Sequence, residues 1–110
     1  MAAIVVYSAT VNLEPLTKDN YKYWSFRVKT YLLAKDLWDL LHEPPKLEEI
    51  DGEVEFKAWR KNNARALEAI TILCGKDAES SIVYIETARD AWNTLAEKFK
   101  PPEILEIPGM

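Results

Sequence analysis

The sequence is poor in the residues that most often build catalytic and metal sites. Its 110 residues include one cysteine, Cys74, one histidine, His42, and three glycines. A single cysteine excludes an intrachain disulfide framework and a cysteine-rich zinc site. A histidine-based zinc site or catalytic triad would depend on His42 alone, and the few glycines form no glycine-rich phosphate loop. The sequence therefore predicts no enzyme, no metal site and no cofactor.

Long apolar runs and a surplus of positive charge are also missing. No apolar run approaches the ~20 residues needed to span a bilayer, and the N-terminal residues lack the basic and apolar regions of a secretory signal. The net charge of −4 argues against a dedicated nucleic-acid-binding protein. We expect a soluble, cytoplasmic protein with neither a membrane partner nor a small-molecule substrate.

What the sequence does contain is apolar and aromatic residues at helical spacing. Apolar residues make up 48% of the chain and include four tryptophans, enough for the core of one small domain. Tyr21, Trp24, Val28 and Tyr31 recur at intervals of three and four residues, which places them on one face of a helix. The fold class is therefore all-α, a compact bundle of about five helices. The predicted helices cover about residues 18–34, 36–42 and 53–74, then a fourth that begins at 76–79 and contains Ile82, Val83 and Ile85, and a fifth that ends at Phe99.

Proline and glycine set the expected boundaries. Residues 1–16 are predicted to form an extended N-terminal arm, 17–100 the helical domain and 101–110 a flexible C-terminal tail. Pro44-Pro45 and Pro101-Pro102 should end helices, because proline lacks the amide hydrogen. Gly75 stands where a helix C-terminal glycine belongs. Thr87, followed three residues later by Asp90, resembles a capping box at the start of the last helix.

Three ordered motifs resemble one known family. The stretch NYKYWSFRVKTYLLAKDLWDLL at residues 20–41, WRKNNARALEAI at 59–70 and TARDAWNTLAEKF at 87–99 resemble the start of the Gag polyprotein of plant Copia-type LTR retrotransposons, including Gag-derived domains of plant host proteins. The resemblance covers roughly residues 13 to 100. It implies a capsid N-terminal lobe that associates with other proteins and has no catalytic activity.

The tryptophans could form a stacking platform for a ligand, but each one is in phase with the aliphatic residues of its own helix. We therefore interpret them as parts of one core, each burying ~150–250 Å². In the same way, Cys74 and the lone His42 are interpreted as a packed thiol and a helix-terminal imidazole. The predicted structural core consists of Tyr21, Trp24, Val28, Tyr31, Trp38, Trp59, Leu67, Ile70, Trp92, Leu95 and Phe99.

A second apolar line lies on the other side of the first helix. Phe26, Leu33 and Leu37 fall well away from the Trp24–Val28 stripe around the helix. A helix buried on one face has no need of such a line. Either the apolar arm, Ile4 to Leu13, folds over it, or it is a candidate self-association surface for a second subunit.

Two groups of charged residues are considered as further sites, one basic and one acidic. Lys57, Arg60, Lys61 and Arg65 share one side of the third predicted helix, where they form either a solvated face paired with nearby acids or a weak RNA contact. The acidic residues at 48–55 lack the spacing of a calcium loop. No metal site is predicted there.

The sequence thus predicts a structural module whose partner is itself, as a homo-oligomer, or other proteins. Its resemblance favours a self-associating capsid lobe. The alternatives are a host-retained interaction domain, for example before ankyrin repeats in a plant signalling protein, and a weak RNA-binding module.

Overall fold

The computed structural model describes residues 13–42 and 52–102 of the chain. These residues contain three α-helices and no strand: α1 at Tyr21–Ala34, α2 at Gly52–Glu79 and α3 at Ala88–Phe99. A single 3₁₀ helix, Trp38–Leu41, lies between α1 and α2. The all-helical class is confirmed for this part of the chain, whereas the expected number of about five helices is not. The arm up to residue 12, the segment 43–51 and the tail from residue 103 lie outside the described residues, so the expectations for them stay predictions.

Two predicted helices take another form. The second is only one turn of 3₁₀ helix, because Asp36 has a positive φ and the helical residues begin only at Trp38. The fourth is shorter than predicted. Residues 76–79 are helical but follow a kink at the non-helical Gly75, and Ile82, Val83 and Ile85 lie in a turn and an irregular connection to α3. Side chains branched at Cβ, as in Ile82 and Val83, lose rotamer freedom in a helix and make the turn less costly.

α1 begins three residues later than predicted. The Thr17 hydroxyl accepts hydrogen bonds from the amides of Asp19 and Asn20, both at 3.2 Å, so Thr17 acts as a cap for the turn before the helix. The Asn20 side chain accepts from the Thr17 amide at 2.8 Å and donates to the Pro15 carbonyl at 2.9 Å. This exchange of bonds holds the segment before α1 in place.

The end of α1 turns the chain inward. Asp36 has a φ of 61°, in the left-handed region, and its amide donates to the Leu33 carbonyl. The next amide, of Leu37, reaches back to the Leu32 carbonyl at 2.8 Å. These two bonds form a Schellman motif, in which the residue after the left-handed position packs against the last turn of the helix. Leu37 and Leu32 are both buried accordingly.

Gly75 is the second place where the backbone has a positive φ. It lies inside α2 with φ 89° and ψ 165°, so the helix axis is interrupted there although helical residues follow. The interruption lets the chain before α1 pack closely, since the Leu16 amide donates to the Cys74 carbonyl at 3.0 Å. A Cβ atom at position 75 would lie 2.7 Å from the Cβ of Pro15. Gly75 therefore ties the start of the domain to α2.

Replacing this glycine is expected to destabilise the fold. Gly75→Ala would place a side chain in a left-handed conformation and against Pro15, at a cost of about 1–3 kcal/mol in the free energy of unfolding. Urea denaturation followed by circular dichroism measures the change. In a Pro15→Gly background the contact with the proline ring is gone, so the cost should shrink but not vanish. Wild-type stability in Gly75→Ala would contradict the packing described.

α3 begins as the sequence predicts. The Thr87 side chain accepts a hydrogen bond from the Asp90 amide at 3.1 Å, which satisfies one of the free amides at the helix N-terminus. Asn63 of α2 also binds the backbone at the start of α3. Its side-chain amide donates to the Glu86 carbonyl at 2.9 Å, and its oxygen accepts from the buried Ala88 amide at 2.8 Å.

Three of the four tryptophans meet in one core. Trp24 is 1% exposed, donates its indole N–H to the Leu73 carbonyl at 2.9 Å, and stacks on Trp92 with ring centroids 5.7 Å apart. Trp38 meets the same Trp92 edge-on at 5.4 Å. The rest of the core comes mostly from aliphatic residues and small residues, among them Val28, Leu32, Leu41, Ala66, Ile70, Cys74, Ala78, Ile82, Ala91 and Leu95. Tyr21 is also buried, and Tyr31, Leu67 and Phe99 pack against this cluster from its margin.

Trp59 is an exception to the expected core. It is half-buried, stacks on Phe56 with centroids 6.2 Å apart, and is not part of the cluster formed by the described residues. Its indole nitrogen is shielded from solvent yet has no hydrogen-bond partner in that part of the chain. The core prediction for Trp59 is therefore corrected. Its position in the second turn of the long α2 takes it away from the junction of the three helices.

Candidate protein-association surface

The outer face of α1 carries large apolar side chains in solvent. Tyr23, Phe26 and Leu33 are 58%, 61% and 52% exposed. They lie on the side of the helix opposite Trp24 and Val28, which are buried against the rest of the fold. Large apolar side chains grouped on a surface are typical of sites that bind another protein. We call Tyr23, Phe26 and Leu33 the α1 stripe.

The stripe differs at two residues from the surface that the sequence suggested, since it lacks Leu37 and includes Tyr23. Leu37, expected beside Phe26 and Leu33, is 3% exposed and belongs to the core. The reason is the left-handed Asp36, which ends α1 and directs Leu37 back toward Leu32. Tyr23 was missed, although its spacing of three residues from Phe26 could have revealed it.

The charged residues of α1 beside the stripe are all basic. α1 has no acidic residue between Tyr21 and Ala34, and Lys22 and Lys29 are exposed beside the stripe. Arg27 lies on its other flank, donating to the Tyr23 hydroxyl at 2.7 Å with its guanidinium 5.7 Å from the centre of the Tyr23 ring. The surface thus combines apolar contact area with cations on both sides.

A shallow groove joins the stripe to the start of the described chain. Leu13, Glu14, Asn20, Tyr23 and Trp24 line it, and its volume is about 310 Å³. Leu13 packs against the core there. Leu13, the first described residue, therefore lies close to Tyr23, and the alternative that residues 1–12 cover the stripe stays a prediction.

The basic residues of α2 are exposed, as a solvated face or a nucleic-acid contact would both require. Lys57, Arg60, Lys61 and Arg65 all reach solvent. Arg60 has its guanidinium 5.6 Å from the centre of the Phe56 ring, and Arg65 donates to the Asn62 side chain at 3.3 Å. Arg65 also lines a groove together with Glu68, so its charge is partly offset. RNA binding stays a prediction of the sequence.

The residues considered as possible catalytic or metal-binding groups are His42 and the acidic residues at 48–55. His42 is exposed, with its ring 4.7 Å from the Trp38 ring at an angle of 70°. Within residues 13–42 and 52–102, no group of three or more metal-binding side chains comes together. Of the acidic residues at 48–55, Glu53 and Glu55 are described, and both are exposed.

No helix in residues 13–42 and 52–102 is long and apolar enough to cross a membrane.

The thiol of Cys74 is held in its protonated form. The side chain is fully buried, and its sulfur contacts the Thr71 carbonyl oxygen at 3.5 Å. Burial, together with the nearby carboxylate of Glu79, raises the pKa of Cys74 from 9.0 to about 11. A thiol that keeps its proton at neutral pH is a poor nucleophile.

This shift predicts a loss of stability at high pH. The folded state holds the thiol proton more tightly than the unfolded state, so its contribution is complete below the ordinary pKa of 9.0 and is lost as the pH rises through about 11. The difference in unfolding free energy between wild type and Cys74→Ala should therefore narrow between pH 8 and pH 11. Urea denaturation at both values measures it. A difference in unfolding free energy that is the same at both pH values would contradict the raised pKa of Cys74.

Comparison with known proteins identifies the family. A model of the family described as gag-polypeptide of LTR copia-type matches residues 28–106, which is more than half of the chain. The match spans α2, α3 and the last two turns of α1. No curated protein and no solved structure shows significant similarity. The chain belongs to the copia-type gag-polypeptide family.

Proposed function

We propose that this copia-type Gag domain is a structural module that associates with further copies of itself through the α1 stripe. The observation that carries the proposal is the exposure of Tyr23, Phe26 and Leu33, each more than half in solvent, on a helix whose opposite face anchors the core. Burying them in a second copy would remove apolar surface from water at about 25 cal/mol per Å².

The rest of the molecule is consistent with a structural role. The buried Cys74 is protonated at neutral pH. The tryptophans of the core pack against one another, and Trp24 also donates a hydrogen bond to the backbone. Membership of a gag family favours an assembly module over a catalyst. The host-retained interaction domain and the RNA-binding module stay predictions of the sequence.

Sedimentation velocity over a wide range of protein concentration tests the proposal. We expect wild type to show oligomers that increase with concentration, and Phe26→Asp to stay monomeric, because a carboxylate would replace the central apolar contact. Phe26 is 61% exposed, so its replacement should change the unfolding free energy by no more than ~0.5 kcal/mol. Val83→Asp is the matched control, since Val83 is 57% exposed in the turn before α3.

Two results would count against the proposal. A wild type that is monomeric at every concentration would remove it. If Val83→Asp reduces association as much as Phe26→Asp does, the contact between copies does not depend on the α1 stripe. Removal of residues 1–12 tests the alternative that the arm covers the stripe, which would appear as stronger association after the deletion.

A further inference from the structure

The charge around the α1 stripe restricts what can bind to it. Lys22, Arg27 and Lys29 flank the stripe, and α1 itself has no acidic side chain. Two copies that met α1 against α1 would bring these cations together, and like charges across an interface oppose binding. The stripe therefore suits an occupant that is both apolar and acidic.

One segment of this chain has that composition. Residues 103–110 read EILEIPGM, with Glu103 and Glu106 as charges and no basic residue; Ile104 and Leu105 lie between the two acids and Ile107 follows them. The arm at 1–12 is apolar but contains no acidic residue. Among the segments at the two ends of the chain, 103–110 complements the stripe in both respects.

We propose that residues 103–110 of one copy dock on the α1 stripe of a second copy. Its aliphatic side chains would cover Phe26 and Leu33, and its two carboxylates would meet Lys22, Lys29 and Arg27. This inference rests on the proposed self-association and names the element that each copy contributes.

The position of α3 favours a second copy over the chain's own tail. Trp92 of α3 stacks on Trp24, so α3 lies on the core side of α1, whereas Phe26 lies on the opposite side. The tail follows α3 after Pro101-Pro102. Eight residues span at most ~26–29 Å, and a path around a helix of ~10–12 Å diameter would use much of that length.

The geometry has a consequence for assembly. Contact between a tail and a stripe is heterologous, because different surfaces meet, so each copy retains one unused tail and one unused stripe. Association should therefore continue beyond the dimer into rings or open chains. It should also weaken as salt screens the pairs between carboxylates and cations.

A mixing experiment tests the inference with full-length chains. One variant, Phe26→Asp, has a disabled stripe and an intact tail. The other, with Glu103→Lys, Leu105→Ser and Glu106→Lys, has a disabled tail and an intact stripe. We expect each to be monomeric alone, and the mixture to form a one-to-one complex that grows no further, detected by sedimentation with a different fluorophore on each variant.

The possible outcomes distinguish a failure of the tail inference from a failure of the proposed function. No complex in the mixture, while wild type still self-associates, would overturn the tail inference and leave the proposed function standing. A tail variant that associates as strongly as wild type, or more strongly, would show that the tail is not the bridging element or that it covers its own stripe, which also overturns the inference. A monomeric wild type would remove the proposed function itself.

Charge reversal provides a second arm. Lys22→Glu together with Lys29→Glu should raise the dissociation constant of wild type by about tenfold or more, which corresponds to ~1.4 kcal/mol. Mixing this stripe variant with Glu103→Lys, Glu106→Lys chains should restore association, since the signs are again opposite. Failure of that rescue would show that the carboxylates and cations do not meet.

Discussion

Trp24→Ala should lower the free energy of unfolding by about 3–5 kcal/mol, which is a large part of the ~5–15 kcal/mol typical of a small domain. Three losses combine in this substitution. The indole is 1% exposed, it stacks on Trp92 at 5.7 Å, and its N–H bonds to the Leu73 carbonyl at 2.9 Å. Alanine would leave a cavity where α1, α2 and α3 meet.

Trp59→Ala is the matched control for this prediction. Trp59 is half-buried against Phe56, and its indole nitrogen has no partner among the described residues. It should therefore cost clearly less than Trp24→Ala. Urea denaturation followed by circular dichroism compares the two variants. Equal losses would show that Trp59 shares the core after all, and wild-type stability in Trp24→Ala would refute the description of the core.

The second large effect is expected at Asn63. Its side chain bonds to both the Glu86 carbonyl and the Ala88 amide, and the latter is buried. Asn63→Ala would leave both backbone groups without their partner where α3 begins. An unsatisfied buried polar group costs about 1–3 kcal/mol, so we expect a total loss of roughly 2–4 kcal/mol.

The neighbouring asparagine is the control. Asn62 bonds only to the Arg65 side chain among its described contacts, at 3.3 Å on the surface, so Asn62→Ala should change stability by no more than ~0.5 kcal/mol. Thermal and urea unfolding of both variants measures the difference. If Asn63→Ala unfolds like Asn62→Ala, the clamp between α2 and α3 does not stabilise the fold.

Local sequence signals predicted those parts of the fold that depend on neighbouring residues. The start of α3 follows from Thr87, and its side chain accepts the bond that a cap should accept. The helical spacing of Trp24 and Val28 identified the buried face of α1. Gly75 was expected to adopt an unusual backbone conformation and does, with φ 89°. In each case the information lies within a few residues.

The remaining features depend on contacts that no local pattern shows. The end of α1 at Ala34 was predicted, but the position of Leu37 was not, because Asp36 rather than a glycine takes the left-handed conformation that places Leu37 in the core. The kink at Gly75 lies against Pro15, sixty residues earlier in the chain. Trp59 has the spacing of a core residue, yet the core cluster of the described residues does not reach it, and its ring contact is with Phe56 of the same helix. The stripe was found in part, without Tyr23.

The most direct test of self-association through the α1 stripe is a residue-resolved measurement of concentration dependence. Amide chemical shifts of the full chain, recorded by NMR in dilute and in concentrated solution, report which residues enter a contact. We predict changes at Tyr23, Phe26 and Leu33, with none of similar size along the basic residues of α2. Shifts that are independent of concentration, or that change on α2 while α1 stays constant, would contradict the account.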